Sequence, residues 1–130
     1  SIGHVGDSMV FLFRDQDCRQ LTTDHTMAAE MKARLEPGED AYIPEYFSHT
    51  LTRCIGQQGS IETDVYTLEP KFGDRLLLCS DGIPKTMDEN DLLHDTVAAN
   101  DPKTLAEDLI AKANQRGAPD NVTVIAVFVD

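Results

Sequence analysis

Gly73-Asp74-Arg75-Leu76-Leu77-Leu78-Cys79-Ser80-Asp81-Gly82 places a Gly-Asp turn before four consecutive apolar residues and closes with an acid followed by glycine. The apolar run is too short for an ordinary helix and is bounded by glycine on both sides, which predicts a buried strand ending at Asp81. Two readings of its end stand side by side. Ser80-Asp81-Gly82 is a turn of the usual composition, or it holds a carboxylate rigidly at the exit of a strand, with Gly82 allowing the sharp bend.

Two further acidic turns bear on that choice. Ala118-Pro119-Asp120-Asn121 leads into Val122-Thr123-Val124-Ile125-Ala126-Val127-Phe128-Val129, a β-branched run that reads as a second buried strand. Gly6-Asp7-Ser8 separates a short run at Ser1–Val5 from Met9-Val10-Phe11-Leu12-Phe13. Asp81, Asp120 and Asp7 can therefore converge at one end of a sheet as an oxygen-rich site for a hard divalent cation.

The motifs Gly6-Asp7-Ser8, Leu21-Thr22-Thr23-Asp24-His25-Thr26, Leu51-Thr52-Arg53-Cys54-Ile55-Gly56, Asp74–Gly82 and Asp120-Asn121-Val122-Thr123-Val124-Ile125 resemble, in order, those of the metal-dependent protein serine/threonine phosphatases, the protein phosphatase 2C family. The resemblance runs from end to end. The family's N-terminal Asp-Gly-x-Gly-Gly metal turn and phosphate-binding Arg have no counterpart, so the expectation is a single, incomplete phosphatase-like domain over residues 1–130, the C-terminal half of the family's domain. The resemblance implies hydrolysis of phosphoserine or phosphothreonine in proteins by water bridging two Mg²⁺ or Mn²⁺ ions. It makes Asp81 and Asp120 ligands of one ion, Asp7 with Asp81 ligands of a weaker one, and Asn121 and Gly82 their supports. It places the catalytic His, the bridging Asp and the phosphate Arg outside this chain, so none is identified within it. Glu36, Pro37, Gly38, Glu39, Asp40, Ala41 and Tyr42 resemble the family's substrate flap. The competing reading is a catalytically incomplete module that binds a divalent cation or a phosphoprotein in a regulatory role.

Composition limits the other classes. The chain has 130 residues, 41% hydrophobic and 26% charged, as expected of one globular domain, and its net charge of −12 disfavours nucleic acid and anionic membrane surfaces. An acidic protein that handles phosphate must reverse its sign locally, which bound divalent ions do. Cys18, Cys54 and Cys79 are odd in number and lack CxxC spacing, which fits small buried side chains in a reducing, cytoplasmic setting. No run approaches the length of a membrane span.

Met9–Phe13 and Cys18–Thr22 predict a hairpin through Arg14-Asp15-Gln16-Asp17. Asp24-His25-Thr26 starts a helix over Met27–Leu35 that Pro37-Gly38 stops. His25 reads first as a structural hydrogen-bonder, with metal ligand or base as the alternative, and Arg53 as the partner of a carboxylate. Glu36–Tyr46 reads as a surface loop and Phe47–Gly56 is ambiguous. Ser60–Leu68 alternates as a strand expected to pair with Asp74–Ser80 through Pro70–Gly73. Pro84 and Thr86 break the pattern before two helices, one opened by Asp88-Glu89-Asn90-Asp91 and one by Asp101-Pro102 and closed by Gly117.

The order β-β-β-α-loop-β-β-α-α-β predicts an α+β fold, mainly antiparallel with flanking helices, like the C-terminal half of the family's α-β-β-α sandwich. Phe11, Phe13, Leu77, Val124 and Phe128 are expected to face the interior, and part of that face to lie bare. A bare face implies pairing with the N-terminal half of the same domain or self-association.

Overall fold

The computed structural model describes all residues, 1–130, and divides into two compact units. One comprises Ser1–Asp7 and Thr23–Thr67; the other comprises Ser8–Thr22 and Leu68–Asp130.

In the larger unit, β2 (Met9–Arg14) and β3 (Asp17–Gln20) form the expected hairpin, β5 (Arg75–Cys79) pairs with β2, and β6 (Val124–Phe128) pairs with β5. The sheet order is β3-β2-β5-β6, antiparallel throughout. The hairpin turns on Asp15 and Gln16, both left-handed at φ 54° and 62°, so the turn's twist matches that of the strands.

Side chains alternate across this sheet. One face carries Phe11, Phe13, Leu77 and Cys79 against α2 (Glu89–Ala98) and α3 (Pro102–Gln115), and Ile83, Met87, Leu92, Leu105, Leu109 and Ala113 complete that core. Val124 and Phe128 pack at its edge. The helices start where the sequence predicts: Asp88 accepts from Asp91 N–H, Asp101 accepts from Thr104 N–H, and Pro102 opens α3. Arg75 donates to the carbonyls of Thr96, Val97 and Ala99 at the end of α2 and lies 4.3 Å from the centre of the Phe128 ring.

The bare surface is not on the expected face. Phe11, Phe13 and Leu77 are covered by the helices; the register puts Leu76, Leu78, Ile125 and Val127 on the opposite face, where Ile125 is 57% and Val127 40% exposed. Sequence alternation separates the two faces without saying which one the helices cover.

In the smaller unit, β1 (Ile2–His4) pairs antiparallel with β4 (Asp64–Tyr66) as a two-stranded sheet. The Ser60–Leu68 segment therefore pairs with β1, not with Asp74–Ser80 as expected, because both edges of β5 are taken by β2 and β6. Helix α1 (Met27–Ala33) is capped by the Thr26 hydroxyl, which accepts from Ala29 N–H. A 3-10 turn at Glu45–His49 packs on α1, and Thr26 bridges to Leu51, which resolves the ambiguous Phe47–Gly56 segment as turn and bridge. Glu36–Tyr42 is exposed throughout.

Candidate functional site

The ends of β5 and β6 are stitched together by short bonds. Ser80 N–H donates to Thr123 O at 3.1 Å, the Ser80 hydroxyl donates to Asn121 O at 3.1 Å, and Thr123 N–H donates back to Ser80 Oγ at 3.0 Å. Gly82 fits against the same carbonyl so closely that a Cβ there would stand 2.4 Å from Asn121 O. This approach, which only glycine permits, brings the turn after Asp81 onto the turn that carries Asp120.

Past Gly82 the chain coils for one turn, with Lys85 N–H donating to Asp81 O at 3.3 Å, while Ile83 and Met87 anchor it in the core. Lys85 thus stands four residues after Asp81 and reaches both acids: its Nζ lies 2.5 Å from Asp81 Oδ2 and 2.9 Å from Asp120 Oδ2. The Asp81 hydrogen bond, with that of Asp120 next, holds the ammonium's pKa above its ordinary value. Asp120 Oδ1 accepts Asn121 N–H at 2.8 Å, so Asn121 steadies its neighbour through the main chain.

Two carboxylates from separate turns therefore share one cationic position, filled by an ammonium. That donor set suits a hard divalent ion, which takes carboxylate oxygens and completes its shell with water. The pair stands as a pair: no group of three or more His, Cys, Asp or Glu side chains converges in this chain.

Asp7 belongs to the smaller unit. Its turn is held from behind by His25, whose Nδ1 accepts Gly6 N–H at 3.1 Å while His25 N–H donates to Gly6 O at 2.8 Å. Because Nδ1 accepts, the proton of the neutral ring sits on Nε2, which donates to Asp64 Oδ2 at 3.0 Å. Arg53 donates to Asp64 Oδ1 at 2.7 Å, and the Tyr66 hydroxyl also reaches Asp64. The His25 and Arg53 bonds hold the Asp64 carboxyl down at about 2. His25 is thus a buried structural hydrogen-bonder and Arg53 a carboxylate partner, as the sequence predicts.

Sequence reasoning missed Lys85 and Asp64. An acid and a lysine four apart in a turn was the available signal for Lys85; Asp64 had none, being one alternating acid among several. The flap candidates Glu36, Pro37, Gly38, Glu39, Asp40, Ala41 and Tyr42 form an exposed loop of the smaller unit, with Glu36 N–H bonded to Glu39 Oε2 at 3.0 Å and Tyr42 88% exposed.

No protein-family model matches the chain. Curated proteins do: serine/threonine phosphatase stp of Listeria monocytogenes is 32% identical over 129 residues, 99% of this chain and 51% of that protein. Protein phosphatase PhpP of Streptococcus pneumoniae is 35% identical over 130 residues, 98% of this chain and 52% of that protein. Among solved structures, the Streptococcus agalactiae serine/threonine phosphatase superposes with a TM-score of 0.85 at 32% identity, over 98% of this chain and 53% of that one. The catalytic domain of serine/threonine protein phosphatase PstP, solved with two manganese ions, gives 0.78 at 32% identity over 98% and 53%. The chain spans about half the length of the curated relatives it matches. Sequence and fold together, over nearly every residue it has, make this chain a member of the serine/threonine phosphatase family of the PPM, or protein phosphatase 2C, type, corresponding to the C-terminal half of the domain.

Proposed function

We propose that this chain supplies the C-terminal part of a metal-dependent protein phosphatase site acting on phosphoserine and phosphothreonine in cytoplasmic proteins. The observation that supports this most is the convergence of Asp81 Oδ2 and Asp120 Oδ2 on one cationic position, in a chain whose relatives are named as phosphatases. Asp81 and Asp120 would hold a Mg²⁺ or Mn²⁺ ion, and Asp7 would contribute to a weaker, more hydrated one. Such an ion, when bound, lowers the pKa of a coordinated water and offsets phosphoryl charge.

The chain's own residues do the positioning. Ser80 and Thr123 lock the two strand ends, Gly82 lets the turns meet, and Asn121 N–H fixes one Asp120 oxygen while the other meets the Lys85 ammonium. The exposed Glu36–Tyr42 loop is available to touch a phosphoprotein. The face bearing Ile125 and Val127 pairs with the N-terminal half of the same domain or with a second copy.

The second reading, a binding module without turnover, is favoured by one observation: only two carboxylates meet here, too few to hold an ion pair. In the full-length protein, Asp81→Asn and Asp120→Asn should each lower turnover of a phosphothreonine peptide by several orders of magnitude. Near-normal rates in either variant reject the assignment. The 130-residue chain alone should bind Mn²⁺ without turnover, and metal-dependent hydrolysis by the purified monomer would place the catalytic groups elsewhere.

A further inference from the structure

We propose that Lys85 is a tethered counter-cation that competes with divalent ions for the Asp81–Asp120 carboxylate pair and so sets the ion concentration at which that pair loads. The inference rests on the assignment of those two acids as metal ligands, and it concerns a residue to which that assignment gives no part.

The geometry makes the competition direct. A single ammonium nitrogen lies 2.5 Å from Asp81 Oδ2 and 2.9 Å from Asp120 Oδ2, so both oxygens face one point; Asp120 Oδ1 is already engaged by Asn121 N–H. A divalent ion binding both Oδ2 atoms at ordinary carboxylate distances, about 2.0–2.6 Å, needs the volume that Nζ fills. Ammonium and ion therefore exclude each other.

Lys85 is also placed to yield. It sits on a one-turn coil whose backbone is fixed by Ile83 and Met87 in the core, so its four-carbon stem can swing without moving Asp81. Its ammonium is held by hydrogen bonds to the two acids. Lysine suits this use, because a flexible point charge releases more readily than a bidentate guanidinium. Two partly exposed ion pairs hold it, each of modest strength, so the competition should shift affinity without abolishing binding.

The test is Mn²⁺ titration of the 130-residue chain, reading free Mn²⁺ by its electron paramagnetic resonance signal. Lys85→Met and Lys85→Gln should each bind Mn²⁺ about five- to tenfold more tightly than wild type. Lys85→Arg should stay nearer to wild type. Lys103→Met, which removes the same charge from an exposed position on α3, should change affinity much less. Unchanged or weakened affinity in both Lys85 variants, or an equal gain in Lys103→Met, overturns the proposal. Failure of the underlying assignment looks different: Asp81→Asn and Asp120→Asn would then leave Mn²⁺ binding as it is in wild type, whatever Lys85 does. A thermal melt in chelator gives a second readout. Lys85→Met should melt lower than wild type because the cation shared by the two carboxylates is lost, and adding Asp120→Asn should restore most of the loss. Absence of that restoration also counts against the role.

Discussion

Gly82 and Asp74 show how single residues hold the site's end and the far end of β5. At Gly82 the obstacle to any side chain is a backbone carbonyl, Asn121 O, which cannot rotate away as a flexible side chain would. Gly82→Ala should therefore cost about 2–4 kcal/mol, read as a lower urea midpoint with an unchanged slope, and should weaken Mn²⁺ binding because the Asp120 turn is pushed back. At the other end, Asp74 is 1% exposed and accepts from Arg14 Nε at 2.7 Å, Arg14 Nη2 at 2.6 Å and Lys71 N–H at 2.8 Å. These bonds, the Arg14 pair foremost, hold its carboxyl at about 2. Because that value lies below the unfolded carboxylate's roughly 3.9, the stabilisation is complete above about pH 4 and is lost as pH falls toward 2. Asp64, held equally low, adds to the same window. Stability measured by denaturant titration should decline steadily from about pH 4 to pH 2, and Asp74→Asn should be weaker at pH 7 but flatter across that interval. An unchanged acid slope in the variant would remove Asp74 from the account.

At the scale of elements, the β2–β3 turn carries an evident cost. Asp15 tolerates the left-handed region, but Gln16, at φ 62°, gains nothing there that glycine would not provide without steric penalty. Gln16→Gly, giving the Asp-Gly pair preferred in such turns, should raise stability by about 0.5–1 kcal/mol and slow hydrogen exchange in β2 and β3; a loss of stability would mean that the Gln16 side chain holds the turn. This hairpin was legible in the sequence because its signals are local: an apolar run at Met9–Phe13, a polar turn at Arg14–Asp17 and a short returning segment at Cys18–Thr22. The three helices were legible for the same reason, through Thr26, Asp88 and Asp101 at their starts. The partner of the Ser60–Leu68 strand was not, since pairing with Ile2–His4 across some sixty residues leaves no mark in local pattern. The site divides similarly. Asp81 and Asp120 could be read from their places at strand ends, whereas Lys85 lies in an aperiodic coil and acquires its role only when Gly82 brings the two turns together.

For the whole molecule, the face opposite the helices is the side of the sheet with exposed apolar side chains. On that face Ile125 and Val127 of β6 are exposed, Leu76 and Leu78 of β5 are half-buried, and Val10 and Leu12 of β2 are buried, so an exposed apolar strip runs along β6, the kind of surface that marks an interaction site when it is contiguous. Ile125→Lys with Val127→Lys should abolish concentration-dependent association of the 130-residue chain in sedimentation velocity while leaving its circular dichroism spectrum unchanged; persistent association would place the contact elsewhere. No helix in the chain is long and apolar enough to cross a membrane. The chain passes between its two units three times, after Asp7, Thr22 and Thr67, which fixes the timing of its synthesis. The β2–β3 hairpin leaves the ribosome before its sheet partners: β5 starts about 55 residues after it and β6 about 100. At about 5–20 residues per second, the hairpin waits roughly 3–10 s for β5 and roughly 5–20 s for β6. Its phenylalanines wait in the same interval for α2 and α3, which cover them, so the nascent chain should be a chaperone client whose dependence ends only when α3, Pro102–Gln115, and the strand Val124–Phe128 have been released.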